Sequence, residues 1–287
     1  MQKLSNFWTR TITGLSMVFI LLAALWFSGW VFALIFLAIT ILGLWEFYGL
    51  ISSESCHPQK YYGTLAGALL FLATALISLV SWPPSLSYQV WLAFIPFLLP
   101  VPLFFLSFII EIYRDKPNPL MNTATTTLGF LYIALPFSLL LYFNRPDTLH
   151  FWGMPVILVG YFAFTWIYDT AAYLYGRQFG KHKFFERISP KKTWEGTIAG
   201  AVITLVIAFG LHLLVSGMPL SDWLVLACLV IFFGTHGDLA ESLLKRNLNI
   251  KDSGTILPGH GGILDRFDTM LISAPFVFLY FFFHHPI

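Results

Sequence analysis

Apolar residues arrive in long runs along this chain, and the polar positions are confined to the gaps between them. An α-helix needs roughly 17–25 apolar residues to cross about 30 Å of hydrocarbon. Nine runs of that kind can be read, over about 11–27, 30–50, 61–81, 88–111, 120–142, 154–176, 195–215, 222–240 and 263–283. Ser28-Gly29 closes a hairpin between the first two. Pro83-Pro84 separates the third from the fourth, and Pro117 and Pro119 separate the fourth from the fifth. Pro96, Pro100 and Pro102 within the fourth predict a kinked or partly unwound helix, tolerated where neighbouring groups satisfy the freed carbonyls. The pattern therefore predicts an all-α integral membrane protein of about nine transmembrane helices. Residues 1–150 would supply five spans, and residues 151–287 a catalytic region of four spans with two polar loops. No internal repeat is visible.

Composition agrees with that pattern. The chain is 57% apolar and only 10% charged, where soluble domains carry about a quarter. Thirty Phe and ten Trp suit a lipid-facing surface with aromatic belts at its edges. Cys56 and Cys228 stand too far apart, and too alone, to suggest a disulfide framework or a zinc site. Lys3 and Arg10 before the first run resemble the start of a signal peptide. The run lacks a small-x-small cleavage site and leads straight into the next one, so a retained helix is expected.

Charge then orients the spans. With the N-terminus inside and the loops alternating, fifteen of the sixteen Lys and Arg fall on the cytoplasmic side, and only Arg145 does not. The two large polar loops, about 177–194 and 241–262, share that face. A cleft is predicted at the cytoplasmic ends of the last four helices.

Three constellations carry chemistry there. Asp169, Tyr173, Gly176 and Gly180 recur at i, i+4, i+7 and i+11, one helical face, with Arg177 and Lys181 beside them. A carboxylate in an apolar span costs roughly 2.5–3.5 kcal/mol on insertion scales; it serves either a site or a structural ion pair. Ser189-Pro190-Lys191-Lys192-Thr193-Trp194-Glu195-Gly196 ends the basic loop and starts the seventh span. A helix N-terminus with hydroxyls and two lysines can cradle phosphate, whereas a plain basic patch would only touch anionic lipid heads.

The third constellation, Gly237–Asp268, is the densest and holds five of the fourteen carboxylates: Asp238, Glu241, Asp252, Asp265 and Asp268. Asp238, Glu241, Ser242 and Lys245 lie along one face of the eighth helix. Gly259-His260-Gly261-Gly262 reads as a turn that brings backbone amides close to a ligand. Asp265 and Asp268 open the ninth helix, where the dipole favours anions. Oxygen ligands without a His/Cys set point to Mg²⁺, one or two ions. His260 is either a base or a hydrogen-bonding fixture. Carboxylates, lysines and glycine turns in one membrane-edge site suit phosphoryl or nucleotidyl transfer.

Ser242-x-Leu244-Lys245-Arg246 followed by Lys251-Asp252-Ser253-Gly254, Pro258-Gly259-His260-Gly261-Gly262 and Asp265-Arg266-x-Asp268 closely resembles the signature of phosphatidate cytidylyltransferases (CDP-diacylglycerol synthases). The strings at 189–196 and 169–181 match that family too, in the same order. The motifs cover 169–268, about a third of the chain; the first half matches only in hydropathy. The resemblance implies that phosphatidate and CTP give CDP-diacylglycerol and pyrophosphate with Mg²⁺. Asp238 and Asp265 are then expected first as metal ligands, with Asp268 and Glu241 supporting and Asp169 completing the shell or anchoring Arg177. Ser189, Lys191, Lys192 and Thr193 would hold the CTP phosphates, with Arg177, Lys181, Gly261 and Gly262. Lys245, Arg246, Lys251 and Arg266 would draw in the lipid phosphate or pyrophosphate, and Asp252 and His260 complete the catalytic set. The expected partners are CTP, phosphatidate from the cytoplasmic leaflet and membrane lipids, with no nucleic acid; the expected setting is a bacterial inner membrane, with a lean toward a homodimer.

Four other readings compete, the first a paralogue that keeps the motif and acts on another lipid phosphate. A CTP-dependent lipid-alcohol kinase would transfer the γ-phosphoryl group instead. A CDP-alcohol phosphotransferase needs an aspartate motif that is absent. An anion transporter would carry polar residues at mid-membrane in several spans, whereas here they cluster at the ends of the last four. Glu46, beside Trp45 near the end of the second span, is the exception and reads as interfacial. His236 reads as a packing or interfacial residue.

Overall fold

A computed structural model describes residues 2–80, 94–145, 148–254, 256 and 261–284, with the side chains of 2–11 left aside. It is helical almost throughout. The helices are α1 (Gln2–Phe27), α2 (Gly29–Ile51), α3 (Lys60–Leu79), α4 (Ile95–Leu98), α5 (Pro100–Ile112), α6 (Pro119–Gly129), α7 (Leu135–Leu139), α8 (Val156–Phe179), α9 (Trp194–Leu214), α10 (Leu220–Asn247) and α11 (Leu264–His284). Among the described residues eight segments are long and apolar enough to cross a membrane, α4–α5 and Pro119–Asn144 each counting as one. The first apolar run, expected as a ninth span, lies in α1, where the apolar stretch within the described residues is Ile12–Phe27.

Proline explains two irregular spans. Pro100 and Pro102 lack amide hydrogens, and the fourth run breaks at Leu99 between α4 and α5. In the fifth, Pro136 interrupts the ladder; the backbone widens to a π-helix over Phe130–Ala134, with Leu135 N donating to Phe130 O, and then tightens to a 3₁₀ turn over Leu140–Asn144. That second irregularity has no counterpart in the sequence reading.

The chain forms two compact units. The first comprises Met1–Asp147, Asp252–Phe267 and His284–Ile287. Here α2 packs on α3, and Phe36, Phe137 and Phe267 meet edge-to-face with centroids 5.5–6.0 Å apart. Tyr48 is fully buried and donates to Thr126 O at 2.7 Å. A buried polar network lies nearby: Glu111 accepts from Gln59 (2.6 Å), Asn122 (2.7 Å) and Arg114 (2.8 Å).

The second unit comprises Thr148–Lys251 and Asp268–Phe283. It opens with a short hairpin, β1 (His150–Phe151) against β2 (Met154–Pro155), turned by Trp152 and Gly153 at φ +51° and +78°. Helices α8, α9 and α10 pack on one another. A second hairpin, β3 (Lys183–Phe185) against β4 (Ser189–Thr193), leads into α9. Thr193 caps that helix, accepting from Gly196 N at 3.3 Å. Gly196 sits against the Ala172 carbonyl and Gly176, so a Cβ there would force α8 and α9 apart.

Candidate active site

Close helix contact builds the charged cluster of the second unit. Gly237 on α10 lies against the backbone of Asp268 and Thr269 on α11, so close that a Cβ would meet the Asp268 carbonyl. Asp238, the next residue, is thereby delivered beside Asp268. Hydrogen bonds fix the other helices: Tyr161 Oη to Ser273 Oγ at 2.7 Å joins α8 to α11, and Tyr168 Oη to Thr235 Oγ1 at 2.6 Å joins α8 to α10. Thr269 hydrogen-bonds the Asp169 carboxylate and donates its amide to Asp268 Oδ1 at 2.6 Å.

Asp268 thus lies within electrostatic reach of Asp238, Glu241 and Asp169. Two lysines enter the same cluster. Lys192 Nζ is 2.7 Å from Asp238 Oδ2 and 3.5 Å from Thr235 O; Lys245 Nζ is 2.7 Å from Glu241 Oε2. Ser242 Oγ donates to Asp238 Oδ1 at 3.2 Å. Among the described residues, four carboxylates therefore stand with Lys192 and Lys245. Like charges crowded on helices of membrane length are costly unless cations or ligands join them. The donors are all oxygen. Among the described residues no three His, Cys, Asp or Glu side chains already converge as a ready-made metal cage.

The remaining expected residues are placed as follows. Arg177, Lys181, Lys191, Arg246, Lys251, Asp252 and Arg266 are exposed, and Ser189 is half-buried. Arg246 donates to Ile250 O at 3.3 Å. Lys181 lies in a groove with His182, Lys183, Glu186, Trp194 and Ile198, and its amide donates to Glu195 Oε2 at 3.1 Å. The Thr193 hydroxyl is engaged in capping its own helix. His236 bonds back to Phe232 O at 2.6 Å on an exposed face. His260 lies outside the described residues.

Asp265 belongs to the first unit, with partners of its own. Its Oδ2 accepts Ser253 N and Gly262 N, both at 2.8 Å, across a turn in which Gly261 adopts φ +87°. Glu46, which sequence reading left at the interface, also belongs to this turn. It is buried, and takes Ser253 Oγ at 2.5 Å, Ile263 N at 2.9 Å and Leu264 N at 3.1 Å. The signal that could have found it was the carboxylate itself, inside an apolar run.

Against this geometry the comparisons are informative. The sequence model described as "Cytidylyltransferase family" matches residues 8–284. Relatives named phosphatidate cytidylyltransferase match over 165 residues: 41% identical in Staphylococcus haemolyticus, 39% in Staphylococcus saprophyticus and 38% in Staphylococcus aureus. Each match covers 57% of this chain and 58% of the relative's length. With the family model spanning both compact units and the motif-bearing helices gathering carboxylates and lysines, the chain belongs to the cytidylyltransferase family.

Proposed function

We propose that this chain transfers the cytidylyl group of CTP to phosphatidate, giving CDP-diacylglycerol and pyrophosphate with one or two Mg²⁺ ions as cofactor. The observation that carries the reading is the cluster of Asp169, Asp238, Glu241 and Asp268 with Lys192 and Lys245 on helices of membrane length. The names of the relatives support it.

An oxygen of the lipid phosphate attacks the α-phosphorus of CTP, the bond to the β-phosphate oxygen breaks, and pyrophosphate leaves with the electron pair. A phosphate monoester has a second pKa of about 6 and is anionic near pH 7, so the attack needs no general base. The barrier is charge: an anion must approach an anionic phosphate. Asp238, Asp268, Glu241 and Asp169 would hold Mg²⁺, which when bound supplies positive charge against the polyphosphate. Lys192 and Lys245 add cations whose flexible stems let them move from a carboxylate to a phosphate oxygen. Lys191, Arg246, Lys251 and Arg266, each exposed, would add further cations for the phosphates. In this reading the setting is a bacterial cytoplasmic membrane, phosphatidate comes from its inner leaflet, and a homodimer is the expected assembly.

Purified protein in detergent, given phosphatidate, Mg²⁺ and CTP labelled at the α- or the γ-phosphate, tests the proposal. The α label should enter the lipid and the γ label should leave as pyrophosphate. Transfer of the γ label to a lipid would instead identify a kinase, and no transfer with any phosphatidate would defeat the reading.

A further inference from the structure

Glu46 sits near the end of α2, between Trp45 and Phe47, with only 8% of its surface exposed. It lies outside all three motif strings, and no feature of the proposed chemistry calls for it. Its hydrogen-bond partners are 207, 217 and 218 residues further along the chain. Oε1 accepts the Ser253 hydroxyl and the Leu264 amide, while Oε2 accepts the Ile263 amide. In the sequence, Ser253 stands before the Gly-His-Gly-Gly string, and Ile263 and Leu264 stand after it. One buried carboxylate therefore grips both ends of the signature loop.

The surroundings are shaped to it. A Cβ on Gly254 or on Gly262 would run into the Glu46 carboxylate, so glycine at both positions lets the backbone there approach it. Asp265 braces the same two ends through Ser253 N and Gly262 N. Leu264 begins α11, so a carboxylate on the amides of Ile263 and Leu264 also caps that helix and complements its dipole. A buried carboxylate is tolerated only when its desolvation is offset by donors of this kind.

We infer that Glu46 is a positioning residue for catalysis. It holds Ser253 and the first turn of α11 in the arrangement from which Asp252, Gly261, Gly262 and Arg266 act. The N-terminal spans, which match the family signature only in hydropathy, then contribute to the reaction through the segments Glu46 holds. Glu46→Gln keeps the shape but turns an NH₂ group toward donors whichever way the amide faces.

The catalytic part of this inference rests on the proposed cytidylyl transfer; the structural part does not. Two readouts on full-length protein in detergent keep them apart. Hydrogen–deuterium exchange of Glu46→Gln should be at least tenfold faster at Ile263 and Leu264, with α2 unchanged. Per folded molecule, kcat should fall on the order of 10–100-fold, as for other supporting residues behind a site, while KM for CTP stays within about twofold. Ser253→Ala should act in the same direction and more weakly. The double variant should lose less than the product of the two losses, because both remove one interaction. Unchanged exchange at Ile263 and Leu264 overturns the inference whatever the wild type catalyses. So does a kcat within twofold of wild type in both single variants, or losses that multiply independently. Should Glu46→Gln fail to fold, Ser253→Ala decides: wild-type kcat and exchange in that variant overturn the inference. A wild type that shows no cytidylyl transfer defeats the proposed function and leaves the exchange test standing.

Discussion

Two groups of carboxylates in this chain, one in each compact unit, are satisfied in opposite ways. Glu46 in the first unit is buried, and both its oxygens accept from fixed donors: two backbone amides and one hydroxyl. Asp238 and Glu241 in the second unit pair with lysine ammoniums on four-carbon stems, and Asp268 and Asp169 lie beside them with no lysine bridge of their own among the described residues. A carboxylate held by immobile donors organises the backbone and has little to offer a ligand. Carboxylates crowded together and served by mobile cations can exchange those partners for Mg²⁺ and phosphate. Residue type is the same in both regions; the partners decide the role.

The contrast can be broken at several points. Asp238→Asn should have the largest effect, lowering kcat by about 10²–10³-fold, the scale for losing one group that faces developing charge. Circular dichroism should show the helices intact, and label transfer from α-labelled CTP reads the loss. Lys192→Ala should follow, lowering kcat/KM for CTP by roughly 10²-fold, equivalent to about 2.7 kcal/mol. Steady-state kinetics at several CTP concentrations would check it. Gly237→Ala sharpens the structural half of the account. Its Cβ would meet the Asp268 carbonyl and push α10 from α11. Overpacking of this kind costs about 1–3 kcal/mol, and a thermal-shift assay should report a lower Tm together with lower activity. The smallest effect is expected at Glu195. Its carboxylate, in the first turn of α9, meets the exposed His182 at Nδ1, 2.6 Å away, where ion pairs are screened by water. Glu195→Gln should leave kcat/KM within about twofold, which would show that charge near the basic loop is not enough to make a site.

What the sequence disclosed follows from the physics of each feature. The spans were legible because lipid forces backbone hydrogen bonding to close within each segment, and hydropathy records that directly. The break at Leu99 was legible from Pro100 and Pro102. The π and 3₁₀ turns around Pro136 were not, because a single proline does not say how the ladder will accommodate it. Neither hairpin was read, since two-stranded pieces this short carry no hydrophobic alternation. Asp169, Asp238, Glu241 and Asp268 were conspicuous as charges in an apolar setting. Their pairing with Lys192 and Lys245 needed the close α10–α11 contact at Gly237. Glu46 was visible as a residue and opaque as a role, because its partners lie more than two hundred positions away. Asp265 was legible as a carboxylate at the start of the last helix; that its Oδ2 accepts the amides of Ser253 and Gly262 was not, because backbone donors carry no mark in the sequence.

The central claim is that the carboxylates of the second unit hold the cation while Glu46 holds the loop. A Mg²⁺ titration of cytidylyl transfer, run side by side on wild type, Asp238→Asn and Glu46→Gln, tests it most directly. The account predicts that Asp238→Asn raises the Mg²⁺ concentration for half-maximal rate on the order of tenfold or more, by analogy with lost metal-site support. Glu46→Gln should lower the plateau and leave that midpoint unchanged. A wild-type midpoint and plateau in Asp238→Asn, or an equal midpoint shift in Glu46→Gln, would contradict it.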